Sequence, residues 1–397
     1  MRWTITLLIA AAIAISYFDR QTLPVAIAAI QRDIPINNTQ FSQLQAAFLV
    51  AYAIMYAGGG RLIDVLGTRR GFATVMVWWS LACAGHGLAN GFGFLAVSRF
   101  LLGMGEGGGF PAATKAVAEW FSARDRAAAM GVINAGTAVG AVLAPPAIAA
   151  IIAGPGWRWV FFIAGFVGLL WTAAWLLLVR AAPMASIADA EKPGDWLGLL
   201  RRREIWSLVL AKFLSDAAWY FYLFWLPKYL YDVRGFDTKQ VGYYAWIPYA
   251  ASGVGSLAGG WFSSWLLRRG ASVNKARKLA LGLSAAVMPV ILLVDAAPVN
   301  LAIAIFSVAF FGQQSWSTIV MILPTDLVPG RSVGSVAGMV GFGGAMGGVI
   351  FGLVVGYLLD HGFGYPPVFA MAGSFHVLAF LLILLAIPQL SPIKGTE

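Results

Sequence analysis

The stretch GGGRLIDVLGTRRG runs from Gly58 to Gly71, where one long apolar segment ends and the next begins. A related stretch, GGWFSSWLLRRG, runs from Gly259 to Gly270. Both place paired glycines at the end of an apolar segment and an Arg-Arg-Gly triplet a turn or two later. This weak internal repeat predicts a chain that is built from two related halves.

The composition around the repeat is typical of a membrane protein. Hydrophobic residues make up 60% of the 397 residues and charged residues 11%, whereas soluble domains average about half apolar and a quarter charged. A helix needs roughly 20 mostly apolar residues to cross the hydrocarbon core. The pattern therefore predicts an all-α membrane protein with twelve transmembrane spans. We number them 1 to 12, and they cover residues 4–31, 39–62, 71–90, 93–120, 127–154, 157–180, 205–231, 239–267, 276–297, 299–325, 332–359 and 365–391.

One join between spans is longer and more polar than the others. It reads AAPMASIADAEKPGDWLGLLRRRE and covers residues 181–204. The prediction is an N-terminal six-helix half (1–180), a cytoplasmic linker (181–204) and a C-terminal six-helix half (205–397). Two six-helix halves related by a repeat are a recurring plan of membrane transporters, with the site near the bilayer midplane.

Lys and Arg residues indicate the orientation, because cytoplasmic loops carry an excess of them. If the N-terminus is inside, the outer side keeps only Arg32, Arg158, Lys228, Arg234 and Lys239. Both termini are therefore expected in the cytoplasm, and the first apolar segment is expected to be a retained helix rather than a cleaved signal peptide. The net charge of +10 then reflects bases that face anionic lipid. A nucleic-acid partner is not expected, because the bases are not clustered in a soluble domain.

Few ionisable residues lie deep in the predicted spans, and they are Asp19 and Arg20 in span 1, Arg99 and Glu106 in span 4, and Lys212 and Asp216 in span 7. Each charge at the centre of a membrane helix costs about 2.5–3.5 kcal/mol on insertion scales, so such residues normally face the bundle interior and mark a pathway. Alternatively, they only pair with each other and hold helices together. Because Asp19 and Glu106 both fall near mid-depth, we expect them to approach each other or to share Arg99 as a partner.

Several motifs resemble those of one family. GRLIDVLGTRR, around Asp64, resembles the loop signature of the major facilitator superfamily, although Val65 stands where that family usually has a base. RFLLGMGEG, which begins at Arg99, resembles its span-4 signature. SYFDRQTLPVA, GGFPAATKAVAEWF and AKFLSDAAWYFYLFWLPKYL are similar to the anion:cation symporter branch and, within it, to bacterial hexuronate transporters. The resemblance implies a monomer in the bacterial inner membrane that imports a sugar acid with protons and needs no other cofactor.

The resemblance also implies roles for span 1 and span 4. Asp19 and Glu106 would carry protons, and Arg20 would hold the substrate carboxylate. Arg20 suits this role because a guanidinium is planar, always charged and forms paired hydrogen bonds to carboxylates. Burial favours the neutral form of an acid and a nearby guanidinium favours its charged form, so movement of Arg99 would turn the acids into proton-binding sites.

Aromatic residues are the next candidates for the substrate site. Tyr17 lies one turn before Arg20 and can offer a hydroxyl group, and the resemblance implies that Tyr17 and Tyr52 line the site. Ordinary packing is the alternative for both. In span 7, the cluster around Tyr220 offers flat faces for a sugar ring, but at least half of these aromatic residues are expected to pack or to face lipid.

Further polar candidates lie in spans 5, 7 and 10. Lys212 is expected to face the cavity and to bind the sugar acid, or else to pair with Asp216 four residues later. Gln313 and Gln314 are adjacent amides, and because an unpaired amide is costly we expect at least one to face the cavity. Gln314 is thus predicted to bind substrate hydroxyls, as are Asn134 and Thr137, which lie three residues apart on one face of span 5.

The inner gate is predicted in the loop between spans 2 and 3. Asp64, Arg69 and Arg70 are expected to lie near the start of span 11, where a helix N-terminus favours an anion.

Other signals are predicted to be structural. GMGEGG in span 4 matches the dinucleotide fingerprint, but no strand precedes it, so close helix packing explains it better. His86, His361 and His376 are far apart and predict no metal site, and the lone Cys83 is read as a small buried hydrophobe. The Asn37 sequon is expected to cap span 2. No enzyme motif is present.

Three alternatives stay open. One is a proton symporter for another organic anion, such as galactonate, glucarate or an aromatic acid. The second is a proton-drug exporter. Gly136 and Gly140 match the span-5 signature of such exporters, but Pro145 and Pro146 come too late in the span to match it. The third is a membrane receptor or scaffold without transport, in which the loss of Arg20 or Asp19 changes stability alone.

Overall fold

The structure is a computed structural model that describes residues 2–121, 123–179, 201–328 and 330–391. This part of the chain consists of helices and short connections and contains no strand. Helices correspond to all twelve predicted spans, and seven of them are long and apolar enough to cross a membrane by length and composition alone. The predicted all-α membrane fold is confirmed.

The helix bounds follow the hydropathy pattern closely. Spans 1 to 6 are formed by Arg2–Asp33, Asn38–Gly85 (spans 2 and 3), Phe92–Glu106 with Gly109–Trp120 (span 4), Ala123–Ala153 and Trp157–Leu178. Spans 7 to 12 are formed by Arg203–Asp232, Thr238–Tyr244 with Trp246–Arg268 (span 8), Val273–Val287 with the 3-10 helix Met288–Leu293 (span 9), Val299–Val320 with Leu323–Leu327 (span 10), Gly330–Asp360 and Pro366–Ala386.

Two interruptions have clear local causes. Gly67 has φ 73° and ψ 155° and breaks the helix Asn38–Gly85. Because glycine adopts positive φ at little cost, spans 2 and 3 join there without a longer loop. In span 9, Pro289 is the second residue of the 3-10 turn Met288–Leu293, and the α-helix ends just before this turn because proline has no backbone N–H to continue it.

Spans 2 and 8 begin with the same type of cap. The backbone N–H of Gln40 donates to the Asn37 side chain, and that of Gln240 donates to Asp237, at 2.7 Å in both cases. Each glutamine side chain in turn accepts the backbone N–H of the capping residue. The predicted cap at Asn37 is confirmed, and the reciprocal pair extends the internal repeat to the other end of these spans.

Glycines in span 4 allow its close approach to span 2. A Cβ atom at Gly103 would lie 2.2 Å from the carbonyl oxygen of Phe48, and one at Gly107 would lie 2.6 Å from that of Tyr52. Real Cβ atoms do not come so close, so only glycine fits at both positions. The predicted packing role of GMGEGG is confirmed, because its glycines hold the span that carries Glu106 against span 2.

Span 5 packs on span 1 in the same way. A Cβ atom at Gly136 would lie 2.3 Å from the carbonyl oxygen of Ala10, and one at Gly140 would lie 2.1 Å from that of Ala14. These two glycines, which also fit an exporter signature, therefore have a packing reason of their own.

The chain forms two compact units. Unit 1 comprises Met1–Ser186 and Leu223–Trp246, and unit 2 comprises Ile187–Tyr222 and Ile247–Glu397. Two of the three boundaries fall inside spans 7 and 8, and the third falls in the linker, whose residues 181–200 lie outside the described part of the chain. The division into two sequence halves around the linker stays a prediction.

Candidate functional site

Four charged side chains of spans 1 and 4 are buried in unit 1. The exposed fractions are 0% for Asp19, 3% for Arg20, 0% for Arg99 and 2% for Glu106. Spans 1 and 4 carry two each, as the sequence pattern indicates. Their formal charges cancel when all four are ionised, which limits the cost of placing them together in an apolar core.

Glu106 is bonded to span 1. The Nε of Arg20 donates to Oε2 of Glu106 at 2.8 Å, and the hydroxyl of Ser16 donates to the same oxygen at 2.6 Å. Ser16 lies four residues before Arg20, so both donors share one helix face. Both donors to Oε2 of Glu106 thus belong to span 1. Arg99, which Glu106 was expected to share with Asp19 in one of two arrangements, is not a donor to this oxygen.

Three aromatic rings surround the Arg20 guanidinium. Its central carbon lies 4.6 Å from the ring centroids of both Tyr17 and Tyr52, and 5.5 Å from that of Phe48. Ring faces attract a guanidinium at such distances. Tyr17 and Tyr52 therefore contact Arg20 through their faces, whereas the sequence suggested the Tyr17 hydroxyl.

Asp19 and Arg99 have a different environment. Among the described residues, neither carboxylate oxygen of Asp19 bonds a nitrogen or oxygen donor, and none of the three guanidinium nitrogens of Arg99 has a hydrogen-bond partner. Both charges interact electrostatically with Glu106 and with each other, and the Cys83 thiol lies beside Asp19. The cluster therefore combines one tightly bonded pair, a carboxylate whose neighbouring donor is a weak thiol, and a guanidinium without an acceptor in the described part of the chain.

Unit 2 contains a second buried pair. The Nζ of Lys212 donates to Oδ1 of Asp216 at 2.8 Å and to the hydroxyl of Ser317 at 3.2 Å. The intrahelical ion pair that was the alternative for Lys212 is present. Substrate binding by Lys212 stays a prediction.

The amides of span 10 have separate environments. Gln313 is fully buried and its side chain hydrogen-bonds the imidazole of His376, also fully buried, in span 12. Gln314 is half-buried, and its backbone carbonyl accepts from Thr318 at 2.9 Å. Of the two amides, Gln314 is the more accessible.

Comparison with known proteins identifies the family. Residues 9–352 match the Major Facilitator Superfamily. The chain belongs to the major facilitator superfamily. A hexuronate transporter of Escherichia coli (strain K12) is 30% identical, with 96% of this chain and 93% of the relative covered. A galacturonate transporter of Dickeya chrysanthemi is 32% identical over 72% of this chain and 89% of the relative.

A solved structure supports the fold of this facilitator. It is a bacterial homologue of the human lysosomal transporter Spinster in an inward-facing and occupied conformation, with a TM-score of 0.75 and 17% identity. The match covers 97% of this chain and 95% of the other. The chain is thus a multi-pass membrane transporter rather than an enzyme, and the resemblance read from its motifs is confirmed.

The structure describes two of the three predicted gate side chains of this facilitator, Arg69 and Arg70. The Nε of Arg69 donates to the carbonyl of Val179 and its Nη2 to that of Leu176, both at 2.6 Å. Arg69 therefore caps the C-terminal end of span 6, where a cation is favourable. Arg70 is exposed, and the Asp64 side chain lies outside the described part. A gate role stays a prediction for all three.

The remaining candidates include residues that make hydrogen bonds or ring contacts within the protein. The Thr137 hydroxyl donates to the carbonyl of Asn134 at 2.7 Å, and the Asn134 side chain is exposed. Trp219 and Tyr222 pack on one ring, Phe310, at centroid distances of 5.8 Å and 5.6 Å. That fits the expectation that at least half of this aromatic cluster packs or faces lipid. Tyr220 is half-exposed.

Two residues of the facilitator's site escaped the sequence analysis. Ser16 shares the Glu106 oxygen with Arg20, and Phe48 completes the aromatic surround. Each lies four residues before a residue that was singled out, namely Arg20 and Tyr52. The helical spacing of one turn was the signal that points to both. In the described residues, no group of three or more His, Cys, Asp or Glu side chains is placed to hold a metal ion.

Proposed function

We propose that this facilitator is a proton-coupled symporter that imports a sugar-acid anion, a hexuronate such as glucuronate or galacturonate, by alternating access. The observation that carries the proposal is the buried 2.8 Å bond between Arg20 and Glu106. The names of the hexuronate and galacturonate transporters to which the chain is similar support the substrate class. The proposed location is the bacterial inner membrane, with both termini in the cytoplasm and the chain acting as a monomer.

The Arg20–Glu106 bond makes substrate binding depend on a proton. While Glu106 is ionised, it competes with any other carboxylate for the guanidinium. A proton on Glu106 removes the charge that strengthens this hydrogen bond. Oε1 of Glu106 has no hydrogen-bond partner among the described residues, so a proton has room there without displacing Ser16.

The aromatic surround serves the same exchange of partners. When Glu106 releases Arg20, the ring faces of Tyr17 and Tyr52 still hold the guanidinium in place. The substrate carboxylate then takes over as the anionic partner. The buried cation therefore does not stay uncompensated, which would be strongly unfavourable.

Asp19 is proposed as the second proton carrier. An ionised carboxylate loses its hydration in an apolar core, and it regains that energy only from donors. In the described part of the chain, no nitrogen or oxygen donor reaches the Asp19 carboxylate, and the neighbouring Cys83 thiol is only a weak donor. Two acids permit two protons per turnover and thus a transport step that is driven by voltage.

The electrical cost of anion import explains why protons are needed. An inside-negative potential opposes anion entry by about 2.3 kcal/mol per charge per 100 mV. One proton cancels this cost for a monovalent sugar acid, and a second makes uptake electrogenic.

The test is uptake of radiolabelled glucuronate and galacturonate into proteoliposomes, with and without an inward proton gradient. We expect gradient-driven uptake by the wild type, gradient-insensitive exchange by Glu106→Gln and no uptake by Arg20→Ala. Asp33→Asn is the control, because Asp33 is an exposed span-1 carboxylate bonded to Arg158 at 2.6 Å. It should behave like the wild type.

Two results would overturn parts of the proposal. If the wild type takes up neither hexuronate, the substrate is wrong, and galactonate and glucarate are the next anions to test. If uptake occurs but ignores the gradient, the proton roles of Asp19 and Glu106 are wrong.

A further inference from the structure

The Lys212–Asp216 pair of unit 2 is buried although it lies in a membrane span. The exposed fraction is 6% for Lys212 and 7% for Asp216. Lys212 engages one oxygen of the carboxylate, Oδ1, at 2.8 Å. Two ionisable residues in such a place are expensive and are normally retained for function.

Span 11 leaves room for the carboxylate. A Cβ atom at Gly344 would lie 2.2 Å from Oδ2 of Asp216 and 3.1 Å from Cγ of Lys212. A Cβ atom at Gly347 would lie 2.0 Å from the carbonyl oxygen of Phe213. The second carboxylate oxygen therefore faces the backbone of span 11 where that helix has no side chain.

The elements around the pair contribute few titratable groups. Span 10 provides the Ser317 hydroxyl, at 3.2 Å from Nζ of Lys212. Span 12 provides His376, which interacts electrostatically with Lys212 and whose imidazole bonds Gln313. Span 11 provides glycine at the carboxylate. Lys212 is thus the charged group that directly opposes Asp216.

The same helix contains a natural comparison. Lys228 and Asp232 repeat the residue types and the four-residue spacing, with Nζ and Oδ2 2.5 Å apart. The Asp232 side chain, however, is 36% exposed at the end of the helix. Water can therefore stabilise its charge, whereas the Asp216 charge depends on Lys212.

We propose that Asp216 binds a proton during transport and thereby releases Lys212 as an anion-binding ammonium group in unit 2. The inference rests on the proposed proton symport and deepens it. In each unit, a buried carboxylate then occupies a basic side chain until that carboxylate binds a proton. These basic side chains are Arg20 in unit 1 and Lys212 in unit 2. The proton adds to a carboxylate oxygen of Asp216, the hydrogen bond from Lys212 breaks, and the positive charge stays on Lys212 for an anion.

The first test reads the protonation of Asp216 without any substrate. Infrared difference spectra of the full chain in lipid would be recorded over a pH series. We expect a carboxylic-acid band that Asp216→Asn removes and that Asp232→Asn and Glu106→Gln retain. Lys212→Gln should move the midpoint of this band upward by about 1 to 3 pH units, because the neighbouring cation is lost.

The design keeps the result interpretable if Asp216→Asn does not fold. The double variant Lys212→Gln/Asp216→Asn removes both charges and leaves no unpaired ammonium group, and it should also lack the band. If Asp216→Asn or the double variant is folded and still shows every carboxylic-acid band of the wild type, Asp216 does not take up a proton and the inference is wrong.

The second test separates this inference from the proposed function. The proton-to-substrate ratio would be measured in proteoliposomes from the pH gradient at which net galacturonate flux reverses. We expect Asp216→Asn to lose one proton from the wild-type ratio and Asp232→Asn to keep it. An unchanged ratio in Asp216→Asn refutes the role of Asp216 and leaves symport intact. A wild type that carries no sugar acid refutes the proposed function, while the infrared test of Asp216 still stands.

Discussion

Replacement of Glu106 by glutamine should tighten substrate binding at alkaline pH. A hydrogen bond to a charged group contributes about 1.5–3 kcal/mol and one between neutral groups about 0.5–1.5 kcal/mol. Glutamine keeps an acceptor near the Arg20 Nε, which lies 2.8 Å from Oε2 in the wild type, but it removes the charge. The hydrogen bond between residue 106 and Arg20 should therefore weaken by about 1–2 kcal/mol. At 1.4 kcal/mol per factor of ten, this corresponds to roughly 5–30-fold tighter hexuronate binding.

The measurement is equilibrium binding of radiolabelled galacturonate to purified protein over a pH series. In the wild type, acidification should increase affinity, because protonation of Glu106 releases Arg20. In Glu106→Gln, the affinity at alkaline pH should already be raised, and the ratio between acidic and alkaline affinities should shrink by the same factor. Asp33→Asn, which loses an exposed charge-assisted bond to Arg158, should follow the wild-type curve.

A single outcome would refute this reasoning. If Glu106→Gln is folded, as judged by its melting temperature, and binds galacturonate no tighter than the wild type at alkaline pH, Glu106 does not compete with the substrate for Arg20.

Three further substitutions test the surroundings of the site. Tyr52→Phe should change the Michaelis constant of uptake less than about twofold, because the ring face contacts the guanidinium. Tyr52→Leu should raise this constant roughly 2–30-fold, because it loses about 0.5–2 kcal/mol of cation–π interaction. Equal effects of the two substitutions would indicate that the Tyr52 hydroxyl matters instead. Gly103→Ala should reduce the yield of folded protein in size-exclusion chromatography, because its Cβ would lie 2.2 Å from a carbonyl oxygen and overpacking costs about 1–3 kcal/mol. Gly131→Ala, with nothing within 4 Å, should not. Arg69→Ala should lower the melting temperature more than Arg70→Ala, because Arg69 bonds two carbonyls of span 6; equal shifts would contradict its capping role.

Much of the fold was predictable because its signals are local. The spans follow from runs of apolar residues, and the start of span 2 follows from the side chain of Asn37 and its neighbour Gln40. The close packing of span 4 follows from glycines that have no Cβ atom. Each of these signals is a composition or spacing within a single apolar segment, so it can be read along the chain without knowing which segments pack together.

The partners of the site residues were harder to predict. The mid-depth positions of Asp19 and Glu106 suggested that these acids approach each other or share Arg99 as a partner. In the structure, Glu106 bonds Arg20, which lies 86 residues away in the chain. That choice depends on the rotation of span 1 relative to span 4, and the close approach of spans 2 and 4 also brings Phe48 and Tyr52 towards Arg20.

The amino-acid sequence was enough to identify a helical membrane transporter with few buried charges, because hydropathy and family motifs are properties of the chain. It also determined which side chains must be compensated, since no lone charge is cheap in a membrane span. The partners became visible in the folded chain: Arg20 bonds Glu106, Lys212 bonds Asp216, and in the described part the Arg99 guanidinium has no acceptor and the Asp19 carboxylate has no nitrogen or oxygen donor. Hydrogen bonds act over about 3 Å, so the packing of whole helices decides which of several candidate pairs comes within reach.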